Sequence, residues 1–309
     1  MRAVTLEGFG TPPVVRDDLP APAVGATQVL VRVEASSVNP VDNAIAAGML
    51  KDMVDHDFPV TLGRDYAGVV EEAGADAGDF AAGDAVFGFL RHANPAIADG
   101  TWAEFLSVPA DGPIAPAPAG ADPEVVGAAP LAGITALTAI DALGIGRGNT
   151  VLIVGATGGV GTFAVQLAVA AGATVIAPGF PEDDAYLRDL GVSEVLPRDA
   201  DAAAIARAQH ADGVDAVLDL VSYAPGAFEG ALKDGGRLAS PNSAAGEGPG
   251  RTNVMALPTR ENLDRLAGLL ADGTLRVPIQ ATYDLADAPA ALATLGGSHT
   301  RGKIAIRVA

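Results

Sequence analysis

A turn of small residues lies in the middle of the chain, directly after an apolar run. Ala156, Gly158 and Gly161 occupy the three positions of a G-x-G-x-x-G pattern, and Gly159 and Val160 complete the turn. In this pattern glycine lets the backbone approach a pyrophosphate, and the last position lets the next helix lie close to the strand. Because alanine replaces the first glycine, the tight turn must use a conformation that tolerates a Cβ atom. The pattern predicts a dinucleotide-binding turn at a helix N-terminus.

The elements around this turn are predicted to be two strands and a helix. Residues 151–154 form a continuous apolar, β-branched run, which is typical of a parallel strand covered on both faces. The helix follows to about residue 168, and a second strand spans 173–177. A membrane span is the alternative, because residues 148–181 contain no charged side chain. The glycines and the Pro178-Gly179 step break the segment into shorter elements and favour the nucleotide-binding unit.

The end of the second predicted strand bears on the choice between NAD and NADP. NAD-binding units place an acidic residue there to hold the ribose 2′-hydroxyl, whereas this chain has Gly179. A 2′-phosphate needs cations, and Arg198 and Arg301 are the first candidates, with Arg188 and Lys303 behind them. Acidic residues 182–184 favour NAD instead, because they would repel a 2′-phosphate, although helix capping also explains them. We predict NADP(H) and keep NAD open.

Composition limits the classes of partner and of chemistry. The 309 residues carry 38 acidic and 19 basic side chains, which gives a net charge of −19. Such a surface repels phosphate backbones and anionic lipid, so neither nucleic acid nor membrane is expected as a partner. The chain has no cysteine, which excludes disulfides, thiolate nucleophiles and cysteine-ligated metals. The N-terminal residues contain no hydrophobic signal region, so a cytoplasmic location is expected.

Two kinds of pattern divide the chain. Up to about residue 118, short β-rich pieces separated by Pro and Gly predict a small barrel or sandwich. An Ala- and Pro-rich connector follows, and beyond it helical and extended segments alternate. The predicted elements include a helix near 124–143, strands near 151, 173, 216 and 236, and a helix at 260–271. This alternation predicts an α/β protein with a doubly wound parallel sheet.

Six further motifs accompany the glycine turn, and they occur in one order: residues 35–42, 62–70, 83–88, 100–105, 133–136 and 300–304. In this order the chain resembles the medium-chain dehydrogenase/reductase superfamily, and within it the zinc-free quinone oxidoreductase branch, which includes zeta-crystallin-like proteins. The resemblance implies a GroES-like β-rich catalytic domain over 1–118 and 276–309, with a Rossmann domain over 119–275 inserted between. It adds Thr135 and Ser240 to the expected cofactor contacts, and it allows a homodimer.

The same resemblance places Asn39 and Asp42 beside the nicotinamide, where Asn39 would orient the ring or the acceptor carbonyl. The alternative is structural, because Asn39-Pro40 with Asp42 is also typical of a turn that caps a helix, and the two roles are compatible. Zinc dehydrogenases of the superfamily carry a cysteine and a His-Glu pair where this chain has Asn39 and Arg64-Asp65. The four histidines have no pairwise metal spacing, so we expect no zinc site.

Other polar residues have less specific interpretations. Arg64 and Asp65 are expected to form a structural ion pair or to line the cleft. Tyr66 lies on a strand pattern and is expected to be a packed ring. His92 is expected to be a surface side chain of a loop.

The expected chemistry is reduction by hydride transfer. Without a Lewis acid an alcohol has no means of forming an alkoxide at neutral pH, whereas a quinone or α,β-unsaturated carbonyl needs only hydrogen-bond donors and a proton. We predict a zinc-independent, NADPH-dependent oxidoreductase acting on such a small molecule. Two alternatives stay open: a non-catalytic NADPH-binding redox sensor or structural protein, and an enoyl-thioester reductase of a carrier-bound pathway. The charge of −19 argues mildly against an acidic carrier protein.

Overall fold

The computed structural model describes residues 1–91, 98–297 and 299–309. The strands are β1 (Ala3–Leu6), β2 (Val14–Arg16), β3 (Gln28–Ser37), β4 (Val60–Thr61), β5 (Asp65–Ala73), β6 (Ala85–Phe89), β7 (Phe105–Pro109), β8 (Ala115–Pro116), β9 (Thr150–Val154), β10 (Thr174–Gly179), β11 (Glu194–Pro197), β12 (Val214–Asp219), β13 (Leu232–Ser240), β14 (Arg251–Asn253), β15 (Ile279–Asp284) and β16 (Lys303–Arg307). The α-helices are α1 (Pro40–Ala46), α2 (Pro123–Gly127), α3 (Pro130–Leu143), α4 (Gly159–Ala170), α5 (Asp184–Leu190), α6 (Ala202–Gln209), α7 (Arg260–Ala271) and α8 (Ala288–Gly297).

The chain forms two compact units, and each is described by itself. The first comprises Met1–Leu131, Leu257–Asp272 and Ile279–Ala309. The second comprises Ala132–Ala256 and Gly273–Pro278. The chain therefore leaves the first unit and returns to it twice, and α3 begins in the first unit and continues in the second.

These units differ in three places from the domain limits expected from the sequence, of which the smallest is residues 276–278, grouped with the second unit. Residues 119–131 and α7 group with the first unit, although they fall in the predicted Rossmann segment 119–275. The physical reason is contact, because α2 packs against β3 and β5, and α7 packs against β8. Compactness does not by itself define a domain, so the limits stay a prediction.

The first unit is built on two β-sheets. The larger one has the order β15-β16-β3-β5-β6-β8, with β7 also paired to β3, and the smaller one has the order β2-β1-β4. In β3 the fully buried valines Val29, Val31 and Val33 recur at every second position, which is the period of a strand that turns one face to a core. Tyr66 of β5 is fully buried, and its hydroxyl donates to the carbonyl of Pro113 at 2.7 Å. The predicted packed ring is therefore observed.

Strand pairing in this unit gathers three distant parts of the sequence at the start of α1. β16 runs antiparallel to β3 with Ala305 opposite Ser37, a register that places Lys303 opposite Asn39. β3 also pairs with β5, whose first residue is Asp65. Residues that are far apart along the chain thereby become neighbours.

Helix α1 starts immediately after β3, and its start has local causes. Pro40 stands at the first helical position, where its ring fixes a helical φ and its missing N–H is not needed. Asn39 keeps an extended conformation, and its backbone N–H donates to Oδ2 of Asp42 at 2.7 Å. The helix-capping role expected for this segment is therefore present.

The second unit is a six-stranded parallel sheet in the order β11-β10-β9-β12-β13-β14. This is the order 3-2-1-4-5-6 of a doubly wound Rossmann sheet, so the predicted α/β architecture is confirmed. Val151–Val154 of β9 are almost fully buried because β9 lies at the centre of the sheet.

The uncharged segment 148–181 forms β9, the glycine turn, α4 and β10 rather than one continuous helix. Within the described ranges, the structure has no helix that combines the length and the apolar character required to cross a membrane.

The helix predicted near 124–143 is instead two helices, α2 and α3. Pro130 causes the break, because proline donates no backbone hydrogen bond and disfavours a helical conformation at the residue before it. The short elements β11, α6 and β14 were not predicted, since a few residues carry too little periodicity to be recognised. The helix start expected at residues 182–184 is the start of α5.

Candidate functional site

The glycine turn has the geometry of a phosphate-binding turn, with one shift from the sequence pattern. The left-handed residue is Gly155, with φ of 90°, one position before the pattern begins. Ala156 is fully buried, and Ser243 is the only non-glycine residue with positive φ in the described chain. Alanine is therefore tolerated at the first fingerprint position because its neighbour makes the sharp turn.

Gly158 and Gly161 are required for different reasons. A Cβ atom on Gly161 would lie 2.1 Å from the carbonyl oxygen of Gly155, so only glycine lets α4 start this close to β9. A Cβ atom on Gly158 would meet nothing nearer than that same oxygen at 3.6 Å. Gly158 is the N-cap of α4, and Gly159 and Val160 open the helix. The space above Gly158 and the helix N-terminus fit a pyrophosphate.

Ser240 and Thr135, the other two residues expected to contact the cofactor, also lie in the second unit. Ser240 ends β13, is fully buried, and its Oγ accepts from the N–H of Asn242 at 3.1 Å. Thr135 lies on α3 and is 7% exposed. In open α/β sheets ligands bind at the carboxyl ends of the strands where the strand order reverses, here between β9 and β12.

Asp219 is a residue of this edge that the sequence analysis missed. It ends β12 and is fully buried, and its Oδ1 accepts from the N–H groups of Val221 and Ser222 at 3.1 and 2.9 Å. It thereby shapes the loop that follows β12. A lone aspartate after an apolar run is a common turn residue, so the sequence offered no specific signal.

The end of β10 carries the residues relevant to a 2′-phosphate. Gly179 is buried, and a Cβ atom there would point at Leu187 Cδ1, at 2.6 Å. The carboxylate of Asp183 is turned inwards, where its Oδ2 accepts from the N–H of Phe180 at 3.1 Å. Arg198 donates its backbone N–H to the carbonyl of Gly179 at 3.0 Å, and its guanidinium lies 5.6 Å from the centroid of the Phe180 ring. One predicted cation is therefore held at this strand end.

The other predicted cations have different positions. Arg188 pairs with Asp184 at 2.9 Å on the surface of α5. Arg301 belongs to the first unit, where its backbone N–H donates to Oε1 of Gln280 at 2.6 Å. Lys303 is only 4% exposed and lies inside the first unit, so it does not offer a surface cation. His92 falls outside the described residues.

Asn39, Asp42 and Lys303 meet Asp65 in a buried polar cluster of the first unit. The side chain of Asn39 donates from Nδ2 to Asp65 Oδ2 at 2.8 Å and accepts at Oδ1 from Lys303 Nζ at 2.7 Å. Lys303 Nζ lies 3.5 Å from Asp65 Oδ2. Ser37 Oγ donates to the same carboxylate oxygen at 2.6 Å.

Asp65 also reaches the start of α3. Its Oδ1 accepts from the N–H of Leu131 at 2.7 Å, so one carboxylate holds both Asn39 and a helix N-terminus. Arg64 points elsewhere, because its guanidinium donates to the carbonyls of Thr61 and Asp99 at 3.1 and 2.8 Å. The ion pair expected between these adjacent residues is therefore replaced by separate networks.

Burial controls the charge of this cluster. It raises the pKa of Asp42 from 3.8 to about 7, while the Arg64 guanidinium pulls that pKa down. Burial also lowers the pKa of Arg64 and of Lys303, opposed by Asp42 and Asp65 respectively. Asp42 Oδ1 and Arg64 Nε are buried with no hydrogen-bond partner in the part of the chain that the structure covers.

The donor set of this cluster does not fit zinc. Catalytic zinc takes three protein ligands, chiefly imidazole, thiolate and carboxylate. Here Asp65 already receives hydrogen bonds from Ser37, Asn39 and Leu131, and the buried cations of Arg64 and Lys303 would repel a metal ion. No group of three or more His, Asp or Glu side chains is placed to hold a metal within the described ranges.

Comparison with known proteins agrees with this architecture. Residues 25–119 match the family described as alcohol dehydrogenase GroES-like domain, and residues 190–306 match the one described as zinc-binding dehydrogenase. A chloroplast envelope quinone oxidoreductase homolog of Arabidopsis thaliana is 29% identical, over 97% of this chain and 95% of the relative.

Two solved structures are similar over the whole chain. The quinone oxidoreductase of Coxiella burnetii has a TM-score of 0.87 and 28% identity, covering 100% of this chain and 99% of its own. An alcohol dehydrogenase superfamily protein of Novosphingobium aromaticivorans has a TM-score of 0.85 and 30% identity, covering 100% of both chains. The chain belongs to the medium-chain dehydrogenase/reductase superfamily and is a quinone oxidoreductase-like member of it, an oxidoreductase with a GroES-like domain and a Rossmann sheet.

Proposed function

We propose that this oxidoreductase reduces quinones or α,β-unsaturated carbonyl compounds with NADPH and without zinc. The observation that carries the proposal is the buried polar cluster of Asn39, Asp65 and Lys303, whose amide, carboxylate and ammonium groups bond one another and are a donor set unsuited to zinc. The similarity to proteins named quinone oxidoreductases supports the acceptor class. The match to a family described as zinc-binding does not oppose it, because the donor set here is unsuited to the metal.

In this proposal the second unit binds the dinucleotide. The N–H groups at Gly159, Val160 and Gly161 would receive the pyrophosphate, which would approach over the open space at Gly158, whose own N–H donates to the carbonyl of Gly155 at 3.2 Å. Thr135 and Ser240 would contact the rest of the cofactor. Bound NADPH would supply a hydride from C4 of its nicotinamide ring. Arg198 would pair with the 2′-phosphate, and of the acidic residues 182–184 the carboxylate of Asp183 is turned inwards, where it accepts from the N–H of Phe180.

In the first unit, Asn39 would orient the nicotinamide or the carbonyl oxygen of the acceptor. Its amide is already held in one orientation, so binding the acceptor would require little reorganisation. Asp42 would keep the start of α1 in place through the N–H of Asn39. As the β-carbon of the acceptor gains a hydride, negative charge develops on its oxygen, and a proton from solvent completes the reduction. No covalent intermediate is needed.

The decisive experiment measures NADPH consumption against quinones, short enones, 2-alkenals and enoyl thioesters. With NADPH deuterated at the transferred C4 position, we expect the label on the β-carbon of an enone. Label on the carbonyl carbon would indicate a simple carbonyl reductase, and turnover of thioesters alone would indicate the carrier-pathway alternative. NADPH binding without turnover of any acceptor would favour the redox sensor. Activity that survives a zinc chelator, with no stoichiometric zinc by elemental analysis, is expected.

A further inference from the structure

Lys303 is buried in a way that is unusual for a lysine. It is one of three lysines in the chain, and it is 4% exposed at the first position of β16. Lysine is almost never fully buried unless its charge is paired, because removing an ammonium group from water is costly. The register of β16 against β3 carries Lys303 to a position opposite Asn39. Its placement therefore follows from the sheet.

The ammonium group of Lys303 contacts the side-chain oxygen of Asn39, and this contact distinguishes the two possible orientations of the amide. Nζ donates to Oδ1 of Asn39 at 2.7 Å, and Nδ2 of Asn39 donates to Oδ2 of Asp65 at 2.8 Å. Turning the amide by 180° would place Nδ2 against the ammonium and Oδ1 against the carboxylate. Two donors would then face each other, as would two acceptors, so Lys303 and Asp65 together permit only one orientation.

We infer that Lys303 is a positioning residue, whose role is to hold the Asn39 amide in the single orientation that the reaction uses. This inference rests on the proposed function, in which Asn39 acts on the nicotinamide or the acceptor. Lys303 acts only through Asn39 and contacts neither substrate nor cofactor.

A simpler role for Lys303 would be to balance the buried charge of Asp65, from which its Nζ lies 3.5 Å away. That role would affect folding but would not depend on Asn39. The two roles therefore differ in whether removing Asn39 also removes the effect of Lys303. A double-mutant cycle measures this dependence directly.

The test combines Lys303→Met, which removes the ammonium but keeps an apolar chain of similar reach, with Asn39→Ala. We expect Lys303→Met to lower kcat about 10- to 100-fold, with the Kd for NADPH changed less than about threefold. In the Asn39→Ala background the same substitution should change kcat less than about twofold, because nothing is left to orient. An equal loss of kcat in both backgrounds would overturn the inference.

A second readout requires no turnover. The side-chain amide signals of Asn39, assigned in a 15N-correlated NMR spectrum by their loss in Asn39→Ala, should shift and exchange faster with water in Lys303→Met. The matched control is Lys233→Met, which removes a lysine paired with Asp215 in the other unit and should leave the signals unchanged. Unchanged signals in Lys303→Met would refute the positioning role. If the wild-type protein reduces none of the acceptors, the proposed function fails while this measurement still decides the role of Lys303.

Thermal unfolding identifies any variant that is not folded. Should Lys303→Met fail to fold, Lys303→Gln retains a donor without the charge and receives the same kinetic and NMR measurements. For this variant we expect a smaller loss of kcat than for removal of Asn39 itself. A loss as large as that of Asn39→Ala, with the Asn39 signals unshifted, would contradict the inference.

Discussion

Asn39 shows how one residue serves a local turn and a buried cluster at the same time. Its backbone N–H bonds the carboxylate of Asp42, which is the helix-capping role that the Asn-Pro sequence suggests. Its side chain is left available for Asp65 and Lys303. The structural and functional interpretations of this asparagine are therefore compatible, because they use different atoms.

Arg198 provides the residue-scale test of cofactor choice. We expect Arg198→Ala to raise the Kd for NADPH about 10- to 100-fold while the Kd for NADH changes less than about threefold, since only NADPH carries the 2′-phosphate. Arg188→Ala is the matched control, because Arg188 pairs with Asp184 on the same unit. Fluorescence titration of both nucleotides measures the effect. If the variant binds NADH and NADPH more weakly by the same factor, the 2′-phosphate does not contact Arg198.

Arg198 is a better probe of this site than Gly179. A side chain at position 179 would be directed at Leu187, so Gly179→Asp would disturb the contact of β10 with α5 as well as any phosphate.

The raised pKa of Asp42 predicts that the stability of the folded protein depends on pH. Its pKa is raised from 3.8 to about 7, so between these values the folded protein keeps a proton that the unfolded chain has lost. Stability conferred by this proton is fully present below pH 3.8 and is lost as pH rises to about 7. The groups that face Asp42 are Arg64 and Lys303, which lower its pKa, and Asp65, which raises it.

The measurement is the melting temperature of Asp42→Asn against wild type from pH 4 to pH 8.5. Relative to the variant, the wild type should lose stability progressively towards pH 7 and then run parallel to it. Asp264→Asn, at a half-exposed ion pair on α7, is the control and should follow the wild-type curve. Parallel curves for Asp42→Asn over the whole range would mean that Asp42 is ionised throughout.

At the scale of elements, the connection from β9 to α4 is the most informative segment. Three glycines of this turn have different roles. Gly155 adopts the left-handed conformation, and Gly161 allows the helix to lie close to the strand. Gly158 leaves open space beside the helix N-terminus. A substitution in this turn can therefore disturb either folding or binding, depending on the position.

Gly158→Ala and Gly161→Ala should separate these two effects. At position 158 the new methyl group has ordinary contacts, so we expect an unchanged melting temperature but an increase of about tenfold in the Kd for NADPH. At position 161 the methyl group would lie 2.1 Å from a carbonyl oxygen, and a destabilisation of roughly 1–3 kcal/mol is expected.

Gly268→Ala, where a Cβ atom meets nothing within 4 Å, is the control for adding a methyl group. Nucleotide titration and thermal unfolding are compared for all three variants. Normal NADPH affinity in Gly158→Ala would show that the phosphates do not approach this residue.

At the scale of the whole molecule, charge is the dominant property. A net charge of −19 creates a repulsive field for anions, and this field weakens as salt shortens the Debye length from about 30 Å at 0.01 M to about 10 Å at 0.1 M. Neutral quinones and enones do not experience this repulsion. An acceptor that carries phosphate groups does.

We expect kcat/KM for a coenzyme A thioester to rise several-fold as salt increases over this range, at saturating NADPH, with kcat/KM for a neutral quinone changing less than about twofold. Steady-state kinetics at several ionic strengths provide the measurement. A decrease of kcat/KM with salt for the thioester would reveal a local basic site for anionic acceptors and would favour the carrier-pathway alternative.

Local features of the chain were sufficient to predict the fold class, the glycine turn between a strand and a helix, and the buried ring of Tyr66. Apolar runs, glycine spacing and proline positions act over a few residues, so their consequences are visible without the folded structure. The break at Pro130 is also local, yet it was missed because the apolar pattern continues on both sides of it.

The partners of Asn39 were decided only by the tertiary structure. Asp65 and Lys303 lie 26 and 264 residues from Asn39 along the chain, and the pairing of β3 with β5 and β16 brings them together. In the sequence Lys303 is one more cation near the C-terminus, and its burial cannot be recognised until the register of the strands is known. Contacts between distant residues depend on that register, which a single strand does not contain.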